Sequence, residues 1–248
     1  MRGLQGCLPP ARRRGSSLSV GPSLPAVIRL LEESYGAPAP PRVTDPFEMA
    51  VWENCAYLVD DARRAEVFAR LRHEVGLAPE DLLARPLPDL ARVIARGGMQ
   101  PPRRAGKLHA AAEIALSIGV AELRRLLREE PDEARRVLQR FPGFGEPGAE
   151  KVLLFNRAAK TLAPDSNALR TLVRLGFGRE EKDYRRTYRS VAEAVLPQLP
   201  DDGRWLTGAH QLLRRHGREV CKAGVPRCEV CPLTLLCRWY AEHGREKR

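Results

Sequence analysis

Four of the six cysteines in this 248-residue chain fall within seventeen residues. Cys221, Cys228, Cys231 and Cys237 follow the spacing C-x6-C-x2-C-x5-C, which is too tight and too ordered for incidental core thiols. Four thiolates at one place bind metal. Two disulfides would be unusual in a reducing compartment, and the arginine-rich N-terminal residues lack the apolar stretch of a secretion signal. The spacing therefore predicts a metal centre.

The nature of that centre is open between two alternatives. A structural four-cysteine zinc site usually pairs two C-x(2–4)-C units, and only Cys228 and Cys231 have that spacing. The pattern therefore favours an iron–sulfur cluster and leaves zinc as the alternative. Lys222 and Arg227 lie between the first two cysteines, so the metal would hold a basic loop against which phosphate could bind.

A glycine-rich turn, "RFPGFGEPG", is the second candidate site. One helix is predicted to end at Arg140 and the next to begin near Pro147, with Gly143 and Gly145 in the turn between them. Glycines let backbone N–H groups approach an anion closely, and the following helix adds the positive end of its dipole. The turn, including Phe144, is therefore a candidate phosphate contact, although such turns also form for packing alone.

An acidic residue, Asp165 in "LAPDSNALRTLVRLGF", is the third candidate. It precedes a run with helical apolar spacing, so it is expected to be the N-cap of that helix. A carboxylate at a helix N-terminus is favoured in its charged form and can therefore face a developing cation. Capping alone would also explain the residue, and the two roles are compatible.

The charge balance points to an anionic partner. The chain carries 42 Lys and Arg against 31 Asp and Glu, a formal net charge of +11 with a pI near 9.8. Nucleic acid and an anionic membrane surface would both satisfy this charge. No run of about twenty apolar residues is present to span a bilayer. We therefore expect a cytoplasmic, nucleoid-associated protein without a membrane partner.

The rest of the sequence predicts helices that would position these residues. Apolar residues recur at helical spacing, aromatic residues make up only 6%, and Pro or Gly interrupts the segments. The fold class is therefore predicted as all-α, and residues 1–23, rich in Pro, Gly, Ser and Arg, as a disordered tail. The predicted helices are residues 25–36, 46–60, 61–75, 87–95, 103–118, 120–129, 132–140, 148–160, 166–175, 184–196 and 203–216.

Taken together, the "FPGFG" hairpin, Asp165 in "PDSNALR" and the cysteine spacing resemble the endonuclease III branch of the helix–hairpin–helix DNA glycosylase superfamily. The similarity extends over about residues 28–240. It implies two helical domains with a DNA-binding cleft between them. Residues 41–160 would form a six-helix barrel with the hairpin, and residues 24–40 with 161–241 a domain around a [4Fe–4S] cluster. Residues 242–248 would be a tail.

The resemblance also implies base excision on double-stranded DNA, most simply by a monomer. The damaged nucleotide is flipped out and its glycosidic bond is cut, with Asp165 as the catalytic residue. Members that also nick the backbone carry a lysine where this chain has Pro147, so the expected activity is monofunctional hydrolysis. Lys151, one helical turn later, is expected to be a phosphate contact or solvated charge, and its use as a lyase amine is the alternative.

Substrate recognition is predicted from the segment "WENCAYL". In the resemblance, Trp52, Glu53, Tyr57 and Leu58 stand where the family lines its base pocket and fills the gap in the duplex. Core packing of Trp52 explains the same pattern equally well. Alkylated, deaminated and oxidised bases all stay open as substrates, as does a non-catalytic DNA-binding role for the same fold.

Overall fold

The computed structural model describes residues 22–244, and these residues contain helices joined by short connections, with no β-strand. The all-α prediction is therefore confirmed. The predicted tails fall mostly outside the described residues. The helices are α1 (Leu24–Tyr35), α2 (Pro46–Asn54), α3 (Asp61–Glu74), α4 (Pro79–Ala84), α5 (Leu87–Val93), α6 (Pro101–Ile118), α7 (Val120–Glu129), α8 (Pro131–Leu138), α9 (Glu146–Phe155), α10 (Ser166–Leu175), α11 (Tyr184–Val195), α12 (Gly203–Glu219) and α13 (Arg238–His243). None of the helices within residues 22–244 is long and apolar enough to cross a bilayer.

Two helical cores organise these elements. The first core is built mainly from α2 to α9, and the second from α1, α10, α11 and α12. The two cores meet in α9, where Leu153 belongs to the first and Leu154 to the second. Phe155 packs against both. The chain therefore has two helical domains, the barrel lobe around the first core and the cluster lobe around the second. Their exact residue bounds stay a prediction.

The segment predicted as a helix over residues 46–60 ends earlier, at Asn54. Beyond it Tyr57 forms an isolated parallel bridge with Gly98, and the Tyr57 N–H donates to the carbonyl of Gly97 at 2.7 Å. Leu58 then adopts a left-handed backbone with φ 57°. A backbone that pairs with a distant strand-like segment cannot continue its helical hydrogen bonds, so the helix stops.

Two short helices were not predicted, α4 and α13, each of six residues. Six residues hold fewer than two turns, so an amphipathic repeat is too short to be recognised. α4 begins with Pro79 in its first turn, and the Asp81 carboxylate accepts from the Ala78 N–H at 3.3 Å. Local capping of this kind stabilises a helix that periodicity does not reveal.

Candidate active site

A cleft of about 340 Å³ lies between the barrel lobe and the cluster lobe. Its walls come from the C-terminal half of α2, the first turn of α3, the facing sides of α9 and α12, Asp165 at the start of α10, and residues 39–43 between α1 and α2. Three of the residues predicted for the site from sequence line it with Asp165: Trp52, Glu53 and Lys151. The remaining charged or ionisable side chains of the wall are Arg42, Asp61, Arg64, His210 and Arg214. The cleft is therefore charged on both sides.

Asp165 is the N-cap of α10, as its sequence context predicts. Its Oδ1 accepts from the N–H groups of Asn167 and Ala168, each at 2.9 Å. Its Oδ2 lies 3.3 Å from the Nε of Arg214, and the side chain is 29% exposed. Two backbone amides therefore hold Oδ1, while Oδ2 is paired with Arg214 and accepts from the Asn167 side-chain amide at 3.5 Å. Such a group can stabilise positive charge next to it.

Lys151 and Glu53 form an ion pair across the cleft wall, from α9 to α2. Their side chains are only 21% and 28% exposed. Burial alone would raise the pKa of Glu53, but the ammonium of Lys151 and the guanidinium of Arg64 lower it below its usual value. Lys151 is expected from the sequence to be a phosphate contact or a solvated charge; here it is paired with Glu53 and partly buried, and a contact with phosphate stays a prediction. The turn of α9 that carries it faces α2 rather than solvent.

Trp52 and Leu58 occupy different surroundings although they are close in sequence. Trp52 packs edge-to-face on Phe68, with ring centroids 5.2 Å apart, and the guanidinium of Arg64 lies 6.0 Å from its ring. It is therefore partly a core residue and partly a cleft residue. Tyr57 and Leu58 lie beyond the end of α2 and are 54% and 72% exposed. A large apolar side chain this exposed, on a left-handed backbone, is available to enter a neighbouring molecule.

The glycine turn connects α8 to α9 as predicted. Gly143 has φ 85°, which favours glycine, and Gly145 is the N-cap of α9 without any side-chain cap. Asn54 holds the turn, because its Nδ2 donates to the Pro142 carbonyl at 2.7 Å. Phe144 differs from the expectation of a DNA contact: its side chain is 4% exposed in the barrel core. Its N–H donates to the Phe141 carbonyl at 3.0 Å, so Phe144 stabilises the turn and offers an anion neither its ring nor its N–H.

The four cysteines of the spacing motif line one cavity in the cluster lobe. Arg174 donates to the Cys221 sulfur at 3.3 Å, and the Leu233 N–H donates to the Cys231 sulfur at 3.4 Å. Within residues 22–244, no three His, Cys, Asp or Glu side chains converge on a position for a single metal ion. The four sulfurs line the same cavity and could together hold a metal centre.

The basic loop after the first cysteine is exposed and anchored. Lys222 and Arg227 are exposed, and the Arg227 N–H donates to the Val220 carbonyl at 2.9 Å, which closes the loop. Arg174 also donates to the Lys222 carbonyl at 2.8 Å. The loop is therefore held by α10 as well as by its cysteines, and its cations face solvent.

Sequence reasoning missed three cleft residues, Asp61, His210 and Arg214. Burial lowers the pKa of His210 to about 4 despite the nearby Asp165 carboxylate, so the ring is neutral at pH 7. His210 and Arg214 are four apart on α12, which puts them on one face of that helix. The helical spacing signals this shared face, but nothing in the sequence indicates that the face borders the cleft.

Comparisons with known proteins agree with this geometry. The chain is 35% identical to endonuclease III of Rickettsia prowazekii over 103 residues, 42% of this chain and 45% of that protein. It is 28% identical to endonuclease III of Bacillus subtilis over 199 residues, 79% of this chain and 82% of that one. The first curated relatives are thus matched over only about half of their length. No profile of a known protein family matches the chain.

Solved structures give the same fold. A trapped endonuclease III–DNA covalent intermediate superposes with a TM-score of 0.71 at 24% identity, covering 90% of this chain and 97% of that one. A thermostable thymine-DNA glycosylase superposes with a TM-score of 0.69 at 18% identity, covering 89% and 97%. The chain is therefore similar in sequence and in fold to endonuclease III. It has two helical lobes, a glycine turn and four clustered cysteines, with Pro147 just after the turn.

Proposed function

We propose that the protein is a base-excision DNA glycosylase that flips a damaged or mismatched base out of double-stranded DNA and hydrolyses its N-glycosidic bond. One observation carries this proposal: the Asp165 carboxylate lines the cleft between the lobes, with one oxygen bonded to two backbone amides and the other held beside Arg214. That geometry suits stabilisation of a cation that forms next to it.

The reaction follows from the charge that develops. Cleavage of the bond leaves positive charge on the sugar, as in glycoside hydrolysis, and the Asp165 carboxylate would stabilise it. The same carboxylate would orient the attacking water and accept its proton, which leaves an abasic sugar and a free base. The wall that Trp52 and Glu53 form would receive the base, with stacking from the indole.

We propose that three exposed features of the protein bind the DNA. The unoccupied N–H groups at Gly143 and Gly145 would contact a phosphate, and Lys222 and Arg227 would contact the backbone on the other side. Leu58, 72% exposed beyond α2, would fill the gap that the flipped nucleotide leaves. We expect the protein to act as a monomer in the cytoplasm.

The four cysteines would hold a [4Fe–4S] cluster, with Arg174 and backbone N–H groups donating to their sulfurs. When bound, such a cluster would cross-link the chain and fix the basic loop. The spacing supports this assignment over zinc, because only Cys228 and Cys231 form a C-x2-C pair.

Hydrolysis without strand nicking is proposed because Pro147 has no amine to attack the sugar. A second candidate is a combined glycosylase and lyase activity through Lys151, since its Nζ lines the same cleft as Asp165. The ion pair between Lys151 and Glu53 works against this use, because an amine bonded to a carboxylate as an ammonium is not a nucleophile.

A panel of duplexes, each with one alkylated, deaminated, oxidised or mismatched base, tests the proposal. We expect release of a free base and strand breaks only after alkali. Strand breaks without alkali, together with a borohydride-trapped adduct that Lys151→Gln abolishes, would establish the lyase instead. Salt-sensitive duplex binding with no base released from any substrate would leave only a DNA-binding role.

A further inference from the structure

Three charged residues of the cleft, Asp61, Arg214 and Asp165, are connected by ion pairs that join the two lobes. Asp61 begins α3 in the barrel lobe, whereas Arg214 on α12 and Asp165 at the start of α10 belong to the cluster lobe. Arg214 donates from Nη1 to Asp61 Oδ2 at 2.7 Å and from Nη2 to Asp61 Oδ1 at 2.6 Å. Its Nε lies 3.3 Å from Asp165 Oδ2.

The geometry of this bridge leaves the guanidinium little freedom. A bidentate pair fixes the plane of an arginine side chain, which a single contact does not. The hydrogen bonds from Arg214 hold the pKa of Asp61 well below its usual range, so Asp61 is ionised at neutral pH. The two nitrogens that face Asp61 therefore determine where the third nitrogen, Nε, meets the Asp165 carboxylate.

The charges also suit the reaction. An arginine paired with Asp165 alone would offset the carboxylate and weaken its attraction for a sugar cation. Here Arg214 divides its hydrogen bonds between two carboxylates, so Asp165 takes only the Nε contact while its position is held. Arg218 contacts Asp61 as well, through Nη1, but has no contact with Asp165. Arg214 is thus joined to both carboxylates, whereas Arg218 is joined to one.

We propose that Arg214 is a positioning residue for Asp165, and that its bridge to Asp61 sets the separation of the two lobes at the reacting sugar. This inference rests on the proposed function. It deepens that function by assigning the orientation of Asp165 Oδ2 to Arg214, which is itself held by Asp61 across the cleft. The backbone amides of Asn167 and Ala168 bond only Oδ1, and the Asn167 side-chain amide reaches Oδ2 at 3.5 Å.

Arg214→Met, Arg214→Lys and the matched control Arg218→Met test the role in turnover. With saturating enzyme on a cleavable duplex, we expect Arg214→Met to lower the single-turnover rate constant about 10- to 100-fold, the cost of slight misplacement. Its Kd for the duplex should stay within about threefold of the wild type. Arg214→Lys should be intermediate, because an ammonium supplies charge without the planar fork. Arg218→Met should stay within about threefold in both quantities.

Two outcomes of this experiment would overturn the proposal. Equal losses of rate in Arg214→Met and Arg218→Met would mean that the ion-pair network only supports the fold. A loss confined to Kd, with the salt dependence of binding reduced by about one phosphate contact, would make Arg214 a DNA ligand rather than a positioning residue.

A second measurement does not depend on turnover. The N–H groups of Asn167 and Ala168 are bonded to Asp165, so their hydrogen exchange reports how firmly the carboxylate is held. Arg214→Met should accelerate exchange at these two amides about tenfold, and Arg218→Met should not. Unchanged exchange in Arg214→Met overturns the proposal. If exchange responds but the wild type releases no base from any duplex, the proposed function fails and the positioning role stands.

Discussion

Two helices begin on the side of this protein where we propose that DNA binds, and they begin in opposite ways. α9 starts at Gly145 in the barrel lobe without a side-chain cap; Pro147 has no N–H and the Gly148 N–H donates to the Gly145 carbonyl, so the N–H groups of Gly145 and Glu146 are the open ones. α10 starts at Asp165 in the cluster lobe, whose carboxylate already occupies the N–H groups of Asn167 and Ala168. The positive end of a helix dipole can bind an external anion or hold an internal one. The first use suits grip on a phosphate, and the second suits a fixed catalytic carboxylate.

The contrast extends to what holds each helix start in place. The α9 turn depends on a tertiary hydrogen bond from Asn54 on α2, whereas α10 is stabilised by its own cap and by the ion pair with Arg214. Chemistry and binding are therefore assigned to separate helix ends, and changes at one should leave the other intact.

The largest effect is expected from Asp165→Asn, which keeps an N-cap residue at the start of α10 but removes its charge. We expect the single-turnover rate constant of base release to fall about 100- to 1,000-fold while duplex affinity is retained, because a neutral amide cannot stabilise the sugar cation. Asp202→Asn is the matched control, since Asp202 caps α12 in the same way away from the cleft. An unchanged rate in Asp165→Asn would remove the catalytic role.

Asn54→Leu tests whether the hydrogen bond from Asn54 to the Pro142 carbonyl stabilises the turn before α9. This change leaves the Pro142 carbonyl without its donor and should lower the free energy of unfolding by roughly 1–3 kcal/mol. Asn156→Leu is the control. Asn54 donates to two carbonyls, those of Ala50 and Pro142, and Asn156 likewise donates to those of Thr44 and Val152, but from an exposed position. Chemical denaturation should give a clearly smaller loss for the control. Equal losses would show that the turn needs no buried anchor.

Gly145→Asp would convert the open α9 start into the capped form seen at α10. Duplex affinity should fall about tenfold, since a carboxylate would compete with the phosphate for the same N–H groups. Gly145→Asn supplies a cap of the same size without charge, and it should keep affinity within about threefold. Both changes should raise the free energy of unfolding by only a few tenths of a kcal/mol. Equal affinities would mean that this helix start does not contact phosphate.

The smallest expected effect concerns the stability of the protein in acid, to which the ion pair of Asp61 with Arg214 contributes. The pKa of Asp61 is lowered in the folded protein, so its bridge stabilises the fold at neutral pH and is lost as pH falls below about 5. Asp61→Asn should therefore lower the free energy of unfolding at pH 7 by about 1 kcal/mol, allowing for partial exposure, and flatten its decrease below pH 5. Urea denaturation between pH 3 and pH 7 measures both. Parallel curves for the two proteins would contradict the bridge.

The sequence predicted the N-cap at Asp165, but it did not predict how the residues around the cleft contact each other. The N-cap at Asp165 follows from a carboxylate before a periodic apolar run, which is local information. The early end of α2 and the left-handed Leu58 arise from pairing with Gly98, some forty residues away in sequence, so no local pattern announces them. The burial of Phe144 and the pairing of Lys151 with Glu53 likewise depend on which face of α9 meets α2.

By itself the sequence determined the helical class, the glycine turn, the cap at Asp165 and the set of four cysteines, because periodicity, backbone freedom and ligand chemistry are properties of short segments. Only the tertiary structure decided which charges meet across the cleft. Arg214 reaches Asp61 and Asp165 because the two lobes pack along α9 and α12, and the partners of a charged side chain depend on how distant segments pack.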